Sequence, residues 1–421
     1  MKELKLFFMN DFLSFLDNNP TPYHFVEYAK KALIEAGFVE YHDYIPSKIE
    51  KGKGFLVTQL TGIVAFDIRG KDRCIITATH SDSPCLKLKP NYDYKVDNMS
   101  MIRFSTYGDG IWHTFIDRSL RAAGLLFLKA ENGKITKQIY DSHKGVAIIP
   151  ALAIHYESNR KLSPVFDAQN HLNGFVGKDS FTRGLCKELN CTESDLFEQD
   201  IRFIDSTPSN CINGFITSSR LEGLSSSYVS LIAFIDSSQK AQSEDDGITR
   251  MFCVFDRECV GNDSVTGAAS QMLPNALQSI FGDSLISIKD HSLILSINAD
   301  HAKHPLYSQS TQYSAQMGDG ICVKLSSRNH YATDPISICF IERISGLCGV
   351  PYKITYPSNQ IDPGTSFGPV LSTLTGIRTV DIGGPIWGKN SSRETMRWSD
   401  IDNLIGFIRE SFIHFKSYHK Y

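Results

Sequence analysis

Apolar residues recur at helical spacing in the first part of the chain. The stretch MKELKLFFMNDFLSFLDNNP has the pattern of an amphipathic helix, and Pro20 ends it. Residues 22–37 repeat this spacing, and Gly37 supplies the stop signal of a second helix. The chain is therefore predicted to begin with two helices.

After these helices the apolar residues follow the pattern of strands. Runs rich in β-branched residues, and short apolar runs followed at once by polar residues, both predict strands. These runs are FLVTQLTGIVAFDIRG, CIITATH, TRMFCVFDREC, HSLILSINAD and GIRTVDIGG. CIITATH has the composition of a strand that is buried on both faces.

Helical patterns lie between the later strands, in GAASQMLPNALQSIF and DPISICFIERISGL. Strands that alternate with helices favour a mixed or parallel α/β sheet. In such sheets the functional residues collect at the carboxyl ends of the strands. The fold class predicted from the pattern is therefore α/β.

The middle of the chain differs from both ends. Strand patterns in FSTYGDGIWHTF and VAIIPALAIHYE stand beside the polar, loop-like stretch SNRKLSPVFDAQNHLNG. We therefore predict an inserted domain over residues 91–210, with residues 1–90 and 211–421 forming the two parts of the other domain.

Composition narrows the classes of partner. The net charge of -3, without a run of lysine or arginine, gives no electrostatic footprint for nucleic acid or an anionic membrane. No window approaches the roughly 20 apolar residues that a membrane span needs. Ten cysteines occur without a CxxC pair, and Cys74, Cys253 and Cys339 lie in apolar runs typical of buried strands. A soluble, cytoplasmic protein with reduced cysteines is expected.

The stretch ATHSDSPCLKLKP, from Ala78 to Pro90, is similar to the metal-binding segment of the aspartyl aminopeptidases. Further segments resemble the family in the family's own order: NPTPYHFVEYAKKALIEAGF, YGDGIWHTFIDRSL, IPALAIHYE, HLNGFVG, SSRLEGL, FDRECVG, HAKHPLY, GTSFGPVLSTLTGIRTVDIGGP and SSRE. The resemblance implies a zinc metallopeptidase domain with helices on both faces of a mixed sheet, and an inserted β-rich dimerisation domain. It also implies a dimer-based homo-oligomer, which the family builds as a dodecamer.

The resemblance further implies a two-metal centre. Peptide hydrolysis at such a centre needs anionic and imidazole ligands and a carboxylate base that deprotonates metal-bound water. His80 matches the family's first histidine ligand, and Asp82 matches the aspartate that orients it. Glu222, in SSRLEGL, stands at the bridging aspartate, and Glu258 stands at the catalytic base.

Three other ligand positions carry different residues. Cys259 stands where the family has a glutamate, Asn298 where it has an aspartate, and Asn390 where it has a histidine. Two dications about 4 Å apart repel by roughly 16 kcal/mol at an effective dielectric of 20, and anionic ligands must offset this. We therefore expect either no metal or one weakly bound divalent ion, at His80 and Glu222.

Other residues near these positions could replace the lost ligands. Asp300 lies two positions after Asn298, so a register shift along the strand would present it on the same face. His301 and His304 are expected in packing or loop positions, with a ligand role as the minor alternative. Cys259 is expected to be a small buried residue rather than a ligand.

Substrate contacts implied by the resemblance are partly retained. Lys324 matches the lysine that binds an acidic substrate side chain, and Tyr331 matches a neighbouring tyrosine. His113 resembles the histidine that reaches a neighbouring subunit's active site, although a purely structural role in the dimer interface is an equal alternative. The family's Arg-x-Asp pair is absent, with Ser358 and Gln360 at its positions.

Three functions remain open. The first is an aspartyl aminopeptidase-like protein with absent or much reduced catalysis, which binds peptides with acidic N-termini. The second is an active metallo-aminopeptidase that removes acidic N-terminal residues, and the third is an oligomeric scaffold without a ligand. Serine hydrolase and nucleotide-binding motifs are missing from the predicted strand ends.

Overall fold

The computed structural model describes residues 2–42, 45, 49–130, 132–153, 155–156, 167–240, 245–307, 314–359 and 362–415. The α-helices within these ranges are α1 (Lys2–Asn18), α2 (Pro22–Glu35), α3 (Ala168–His171), α4 (Phe181–Leu189), α5 (Leu221–Lys240), α6 (Met272–Phe281), α7 (Leu285–Ile288), α8 (Pro335–Cys348), α9 (Gly368–Thr375) and α10 (Trp398–His414). Short 3-10 helices cover Trp112–Phe115, Glu258–Val260, Gly282–Ser284 and Lys289–His291.

The strands are β1 (Val39–Tyr41), β2 (Gly52–Thr58), β3 (Gly62–Ile68), β4 (Arg73–His80), β5 (Cys85–Val96), β6 (Met99–Tyr107), β7 (Ser119–Lys129), β8 (Ile135–Ile148), β9 (Asn173–Gly177), β10 (Leu196–Asp205), β11 (Asn210–Ile212), β12 (Phe215–Ser218), β13 (Ile248–Phe255), β14 (Leu293–Ile297), β15 (Asp300–His301), β16 (Ile321–Lys324), β17 (Tyr352–Thr355), β18 (Arg378–Gly383), β19 (Pro385–Trp387) and β20 (Glu394–Arg397).

The largest sheet of the described residues has nine strands in the order β1-β2-β3-β13-β4-β14-β18-β16-β17. Its centre is parallel, because β4 pairs in parallel with both β13 and β14. The pairings of β3 with β13 and of β16 with β18 are antiparallel, so the sheet is mixed. The carboxyl ends of β13, β4 and β14 consequently lie side by side.

Helices cover both faces of this sheet. On β13, Phe252 and Val254 pack into a core with residues of α1, α2, α5, α8 and α10. Met251 and Cys253, which alternate with them in sequence, pack with residues of α6, α7 and α9 into a second core on the other face. Alternating side chains of one strand point to opposite faces. The predicted α/β class with helices on both faces is confirmed.

A closed barrel interrupts the α/β part of the chain. Six strands form it in the order β10-β5-β6-β9-β8-β7, and its interior is a separate apolar core around Phe104 and Phe203. These strands all lie between Cys85 and Asp205, and all but the first part of β5 fall within residues 91–210, the part predicted to be β-rich. The predicted boundary after residue 90 falls inside β5, which continues to Val96. The division into domains and the dimerisation role stay predictions.

A smaller sheet, β11-β12-β20-β19-β15, brings distant parts of the chain together. β12 leads into α5, whereas β19 and β20 flank the loop at residues 388–393. Because β12 pairs with β20, the start of α5 lies beside this loop.

Several local predictions were wrong. The run FLVTQLTGIVAFDIRG is a hairpin of β2 and β3, with Gln59 and Leu60 at positive φ in its turn, rather than one strand. The strand predicted in FSTYGDGIWHTF ends at Tyr107 and is followed by the 3-10 helix Trp112–Phe115. The strand predicted in VAIIPALAIHYE ends at Ile148, and part of that stretch lies outside the described residues.

Two of the three cysteines predicted in buried strands are placed as expected. Cys74 and Cys253 are buried in β4 and β13. Cys339 is exposed on α8, so the buried-strand prediction for it was wrong, and the helix predicted for the same stretch is confirmed. No helix of the described residues is both long and apolar enough to cross a membrane.

Candidate active site

The predicted site residues meet at the carboxyl ends of three neighbouring strands. His80 is the last residue of β4 and lies opposite Phe255, the last residue of β13. Glu258 and Cys259 follow β13 in a 3-10 helix, and Asn298 follows β14 directly. This is the edge at which functional residues of an α/β sheet are expected.

His80 is held by Asp82. The Nδ1 atom of the imidazole lies 3.2 Å from Oδ1 of Asp82 and 3.1 Å from its backbone oxygen. The backbone N–H groups of Glu258 and Cys259 each donate to the Asp82 carboxylate at 3.1 Å. Burial would raise the pKa of Asp82, but its bond to His80 and a hydrogen bond from the Tyr107 hydroxyl lower it to about 2. Asp82 therefore stays ionised and fixes the ring of His80.

The other ring nitrogen of His80 points into the site. Nε2 is buried and has no hydrogen-bond partner among the described residues. It lies 3.9 Å from a carboxylate oxygen of Glu222 and 3.9 Å from one of Glu258. Burial would lower the pKa of His80, but these carboxylates and Asp82 raise it to about 10. A buried imidazole nitrogen facing two carboxylates is an arrangement that a cation stabilises.

One group of donors in the described part of the chain has the spacing of a metal site. Single ligand atoms of His80, Glu258 and Cys259 all lie within 4.8 Å of one another. Imidazole, carboxylate and thiolate are each ligands of zinc. Burial and the nearby carboxylates of Asp82 and Glu258 raise the pKa of the Cys259 thiol, so ligation by this residue would release a proton. The donor set fits one divalent ion, and Cys259 belongs to it although it was expected to be only a packing residue.

Asn298 presents a donor where a metal would need an acceptor. Its Nδ2 donates to Oε1 of Glu258 at 3.3 Å, while its Oδ1 is buried without a partner among the described residues. The opposite orientation of the amide would set its oxygen against the carboxylate whenever Glu258 is ionised. The amide therefore supports Glu258 rather than completing a second set of ligands.

Lys389 was missed in the sequence. Its Nζ lies 2.8 Å from Oε1 of Glu222, and both side chains are largely buried. Burial would lower the pKa of Lys389, but Glu222 and Glu258 raise it above its usual value. In turn, burial would raise the pKa of Glu222, but Lys389 and His80 lower it. Glu222, predicted as a ligand beside His80, is thus already paired with a cation of this chain.

Glu394 ties the start of α5 to the loop that carries Asn390. Its carboxylate accepts from the backbone N–H of Glu222 at 3.0 Å and of Asn390 at 2.7 Å. Burial and the charge of Glu222 raise the pKa of Glu394 to about 7. The Asn390 side-chain oxygen is buried and unpartnered among the described residues, and its φ of 67° is one that asparagine tolerates. Glu394 is the final residue of the segment SSRE, and that segment is the sequence signal for this link between α5 and the loop.

Asp300 is not brought into the metal group. It accepts a hydrogen bond from Thr355 Oγ1 and one of 2.8 Å from the backbone N–H of His301. The backbone N–H of Asn298 donates to Ile382 at 3.0 Å, which keeps Asn298 itself at the strand end. The alternative register that would present Asp300 to the site therefore does not occur in the structure.

The two histidines that follow Asp300 also lie outside the group of metal-ligand spacing. His301 is exposed. His304 packs its ring against Tyr307 and Trp387, with centroid distances of 4.8 and 5.4 Å. Packing and loop positions were predicted for both residues.

Lys324 and Tyr331 border the site. Lys324 is buried, its Nζ donates to the Ala299 carbonyl at 3.3 Å, and it lies 5.5 Å from the centre of the Tyr331 ring. Burial, and then the charge of Lys389, lower the pKa of Lys324. Nζ of Lys389 reaches the same carbonyl at 3.4 Å. Two lysines therefore converge on one backbone oxygen of Ala299 beside the predicted metal position.

Two further predictions concern residues at the edge of this region. His113 is exposed on the helix Trp112–Phe115, next to the 388–393 loop, because the backbone N–H of Ile111 donates to Asn390 at 2.8 Å. Ser358 lines a cavity with Ser326 and Arg328, after the end of β16. Gln360 lies outside the described residues.

Together, the sheet, the barrel and the carboxyl-edge donor group define the class of the zinc metallopeptidases. The family described as aminopeptidase I zinc metalloprotease (M18) matches residues 15–412, and the chain belongs to this family. The predicted resemblance to aspartyl aminopeptidases is confirmed. Aspartyl aminopeptidase 4 of Saccharomyces cerevisiae is 28% identical, covering 99% of this chain and 96% of the relative. The aspartyl aminopeptidase of Caenorhabditis elegans is also 28% identical, over 93% and 92%.

Solved structures agree with this assignment. The cryo-EM structure of the Ape4 and Nbr1 complex contains a chain with a TM-score of 0.92 and 27% identity, over 96% of this chain and 85% of that one. The S. cerevisiae mApe1 dodecamer has a TM-score of 0.85 at 21% identity, over 97% of each chain, which shows the shared fold.

Proposed function

We propose that this chain is an aspartyl aminopeptidase-like protein whose hydrolysis is absent or much reduced, and that it binds peptides with acidic N-termini. The observation that carries the proposal is the hydrogen bond from Asn298 Nδ2 to Glu258. It puts an N–H donor where a second metal would need an anionic ligand. The carboxylate that would act as the base is held by the same bond.

The remaining donors support one metal ion at most. Such an ion would be held by His80, Glu258 and Cys259, and when bound it would supply a Lewis acid. If Glu258 is a ligand, the metal withdraws charge from its carboxylate and makes it a weaker base toward water. One carboxylate would then have to fill two roles that the resemblance assigns to two residues, which favours reduced hydrolysis.

The substrate-binding part of the site supports peptide binding. Lys324 is buried beside Tyr331 at the edge of the site, so a ligand carboxylate that reaches Nζ would find a desolvated cation. Charge-assisted bonds of this kind are stronger than those between neutral groups. This favours binding of an acidic side chain without requiring any metal.

The test is an assay of hydrolysis beside an assay of binding. The experiment compares the purified protein with an active family member and with the Lys324→Met variant. Each protein is given a peptide with N-terminal aspartate and, separately, one with N-terminal leucine. Both assays are run with zinc and with a chelator. We expect turnover roughly 10²–10⁴ times slower than that of the active enzyme, and calorimetric binding of the aspartyl peptide that Lys324→Met abolishes.

Two other results would decide for the alternatives. Robust hydrolysis that a chelator abolishes would support an active aminopeptidase and overturn the proposal. If the aspartyl peptide is neither hydrolysed nor bound, the result would support a scaffold without a ligand.

We also propose that the protein forms a dimer-based homo-oligomer, up to a dodecamer, in the cytoplasm. The dodecameric assembly of S. cerevisiae mApe1, a structural neighbour, supports this assembly. The exposed position of His113 on the barrel side of the site fits a contribution to a neighbouring subunit. Native mass spectrometry tests the assembly, and a purely monomeric species at micromolar concentration would contradict it.

A further inference from the structure

We infer that the ammonium group of Lys389 takes the place of one metal ion, so that this site contains a cation of its own and accepts at most one metal. The inference rests on the proposed loss of the two-metal centre and deepens it, because it names what stabilises the remaining carboxylates. Lys389 does not stand at any of the ligand positions that the family resemblance implies.

The geometry around Glu222 is the first support. Its carboxylate stands at the bridging position, where the resemblance implies contact with two cations, and its side chain is only 4% exposed. A buried carboxylate without a cation is strongly unfavourable. The Nζ atom of Lys389, 2.8 Å away, supplies the missing positive charge from within the chain.

The charge balance of the site is the second support. Relative to the implied ligand set, Asn298 removes a negative charge, Lys389 adds a positive one, and Cys259 keeps its negative charge only as a thiolate. A single divalent ion bound with Cys259 as a thiolate would therefore bring the site to the same total charge as two divalent ions with the full set of carboxylates. The three substitutions compensate one another as a group.

The position of Lys389 also excludes a second ion. Its Nζ occupies the space between Glu222 and the Ala299 carbonyl, at 2.8 and 3.4 Å. A dication beside Glu222 would have to displace this ammonium or bear its repulsion at short range. Lys324, which binds the same carbonyl at 3.3 Å, closes the other side.

What remains for a metal is a site with a sulfur ligand. The buried and unpartnered Nε2 of His80 points toward Glu258 and Cys259. Thiolate ligands favour zinc and other soft ions over manganese and magnesium. One zinc ion per chain is therefore the upper limit, and we expect its binding to depend on Cys259.

The experiment is a double-mutant cycle read by thermal unfolding and metal content. Lys389→Met, Glu222→Gln and the double variant are compared with the natural chain, in chelator and after exposure to zinc. We expect Lys389→Met to lower the melting temperature in chelator by about 5 °C or more, because it removes the nearest cation from the buried Glu222 carboxylate. The double variant should regain most of this loss.

Zinc provides the second measurement. Elemental analysis should give no more than one zinc per chain for the natural protein, and Cys259→Ala should abolish that binding. Lys353→Met is the matched control, because this exposed lysine lies 3.8 Å from Asp319 and should leave both readouts unchanged. If Lys389→Met does not fold, recovery of folding in the double variant supports the inference.

Three results would overturn it: Lys389→Met as stable as the natural chain, a double variant no better than Lys389→Met, or two zinc ions in the natural protein. None of these measurements depends on peptide hydrolysis. Turnover with one zinc and an intact Lys389–Glu222 coupling would therefore overturn the proposed function while leaving this inference standing.

Discussion

The hydroxyl of Tyr107, at the end of a barrel strand, donates a hydrogen bond of 2.8 Å to Oδ2 of Asp82. Asp82 in turn orients His80 at the edge of the nine-stranded sheet. The guanidinium of Arg202, from another barrel strand, lies 5.0 Å from the centre of the Tyr107 ring. The barrel therefore supports the orientation of the His80 ring directly.

Tyr107→Phe should lower the free energy of unfolding by about 1.5–3 kcal/mol, because a buried charged acceptor loses its hydroxyl donor. Denaturant unfolding measures this change. Tyr140→Phe in the same barrel is the control: its hydroxyl donates to the exposed Glu188 at 3.2 Å, so its loss should be smaller. Equal losses in the two variants would contradict a special role of the Asp82 bond.

Gly223→Ala should also destabilise the protein, by about 1–3 kcal/mol. A Cβ atom at this position of α5 would lie 2.8 Å from both Cε1 and the backbone oxygen of His80. Gly184→Ala in α4 is the matched control, since nothing lies within 4 Å of its added methyl group, and alanine is the better helix former. Opposite signs of the two changes are expected in chemical denaturation.

Restoring the implied ligands should restore the second metal only if Lys389 is removed as well. We expect Cys259→Glu, Asn298→Asp, Asn390→His and Lys389→Met together to raise the zinc content from at most one to two ions per chain. The control is the triple variant that keeps Lys389, and its zinc content should remain at one ion per chain. Mass spectrometry under native conditions counts the ions, and two ions in the triple variant would be the contrary result.

Asp300→Ala should leave the zinc content unchanged and lower stability. The side chain accepts hydrogen bonds from Thr355 and His301 rather than facing His80. Losing them should cost about 1–3 kcal/mol. Elemental analysis and denaturant unfolding of the same preparation check both statements, and a fall in bound zinc would identify Asp300 as a ligand after all.

Much of the fold could be predicted because local pattern and burial agree. The helix at Pro22–Glu35 and the strands β4, β13 and β14 lie where the apolar periods indicate. The hairpin at Gln59 and Leu60 escaped prediction because its turn contains no glycine or asparagine to mark it. A turn in which other residue types adopt positive φ leaves no signal in the sequence.

The family resemblance predicted which residues line the candidate site, and the strand ends explain why four of them meet. His80, Glu258, Cys259 and Asn298 converge because their strands are neighbours. The pairing of Lys389 with Glu222 joins residues far apart in sequence, and it depends on the packing of β12 against β20. Only the three-dimensional structure shows that an ammonium lies at this position.

The Lys389–Glu222 pair has a consequence for the history of the chain. An aspartate regained at position 298 alone would add a negative charge to a site already in balance, whereas loss of the lysine alone would leave the Glu222 carboxylate unpaired. Single changes at positions 298 and 389 toward the implied ligand set are therefore each expected to lower stability. A return to that set at these two positions is favourable only when both residues change together.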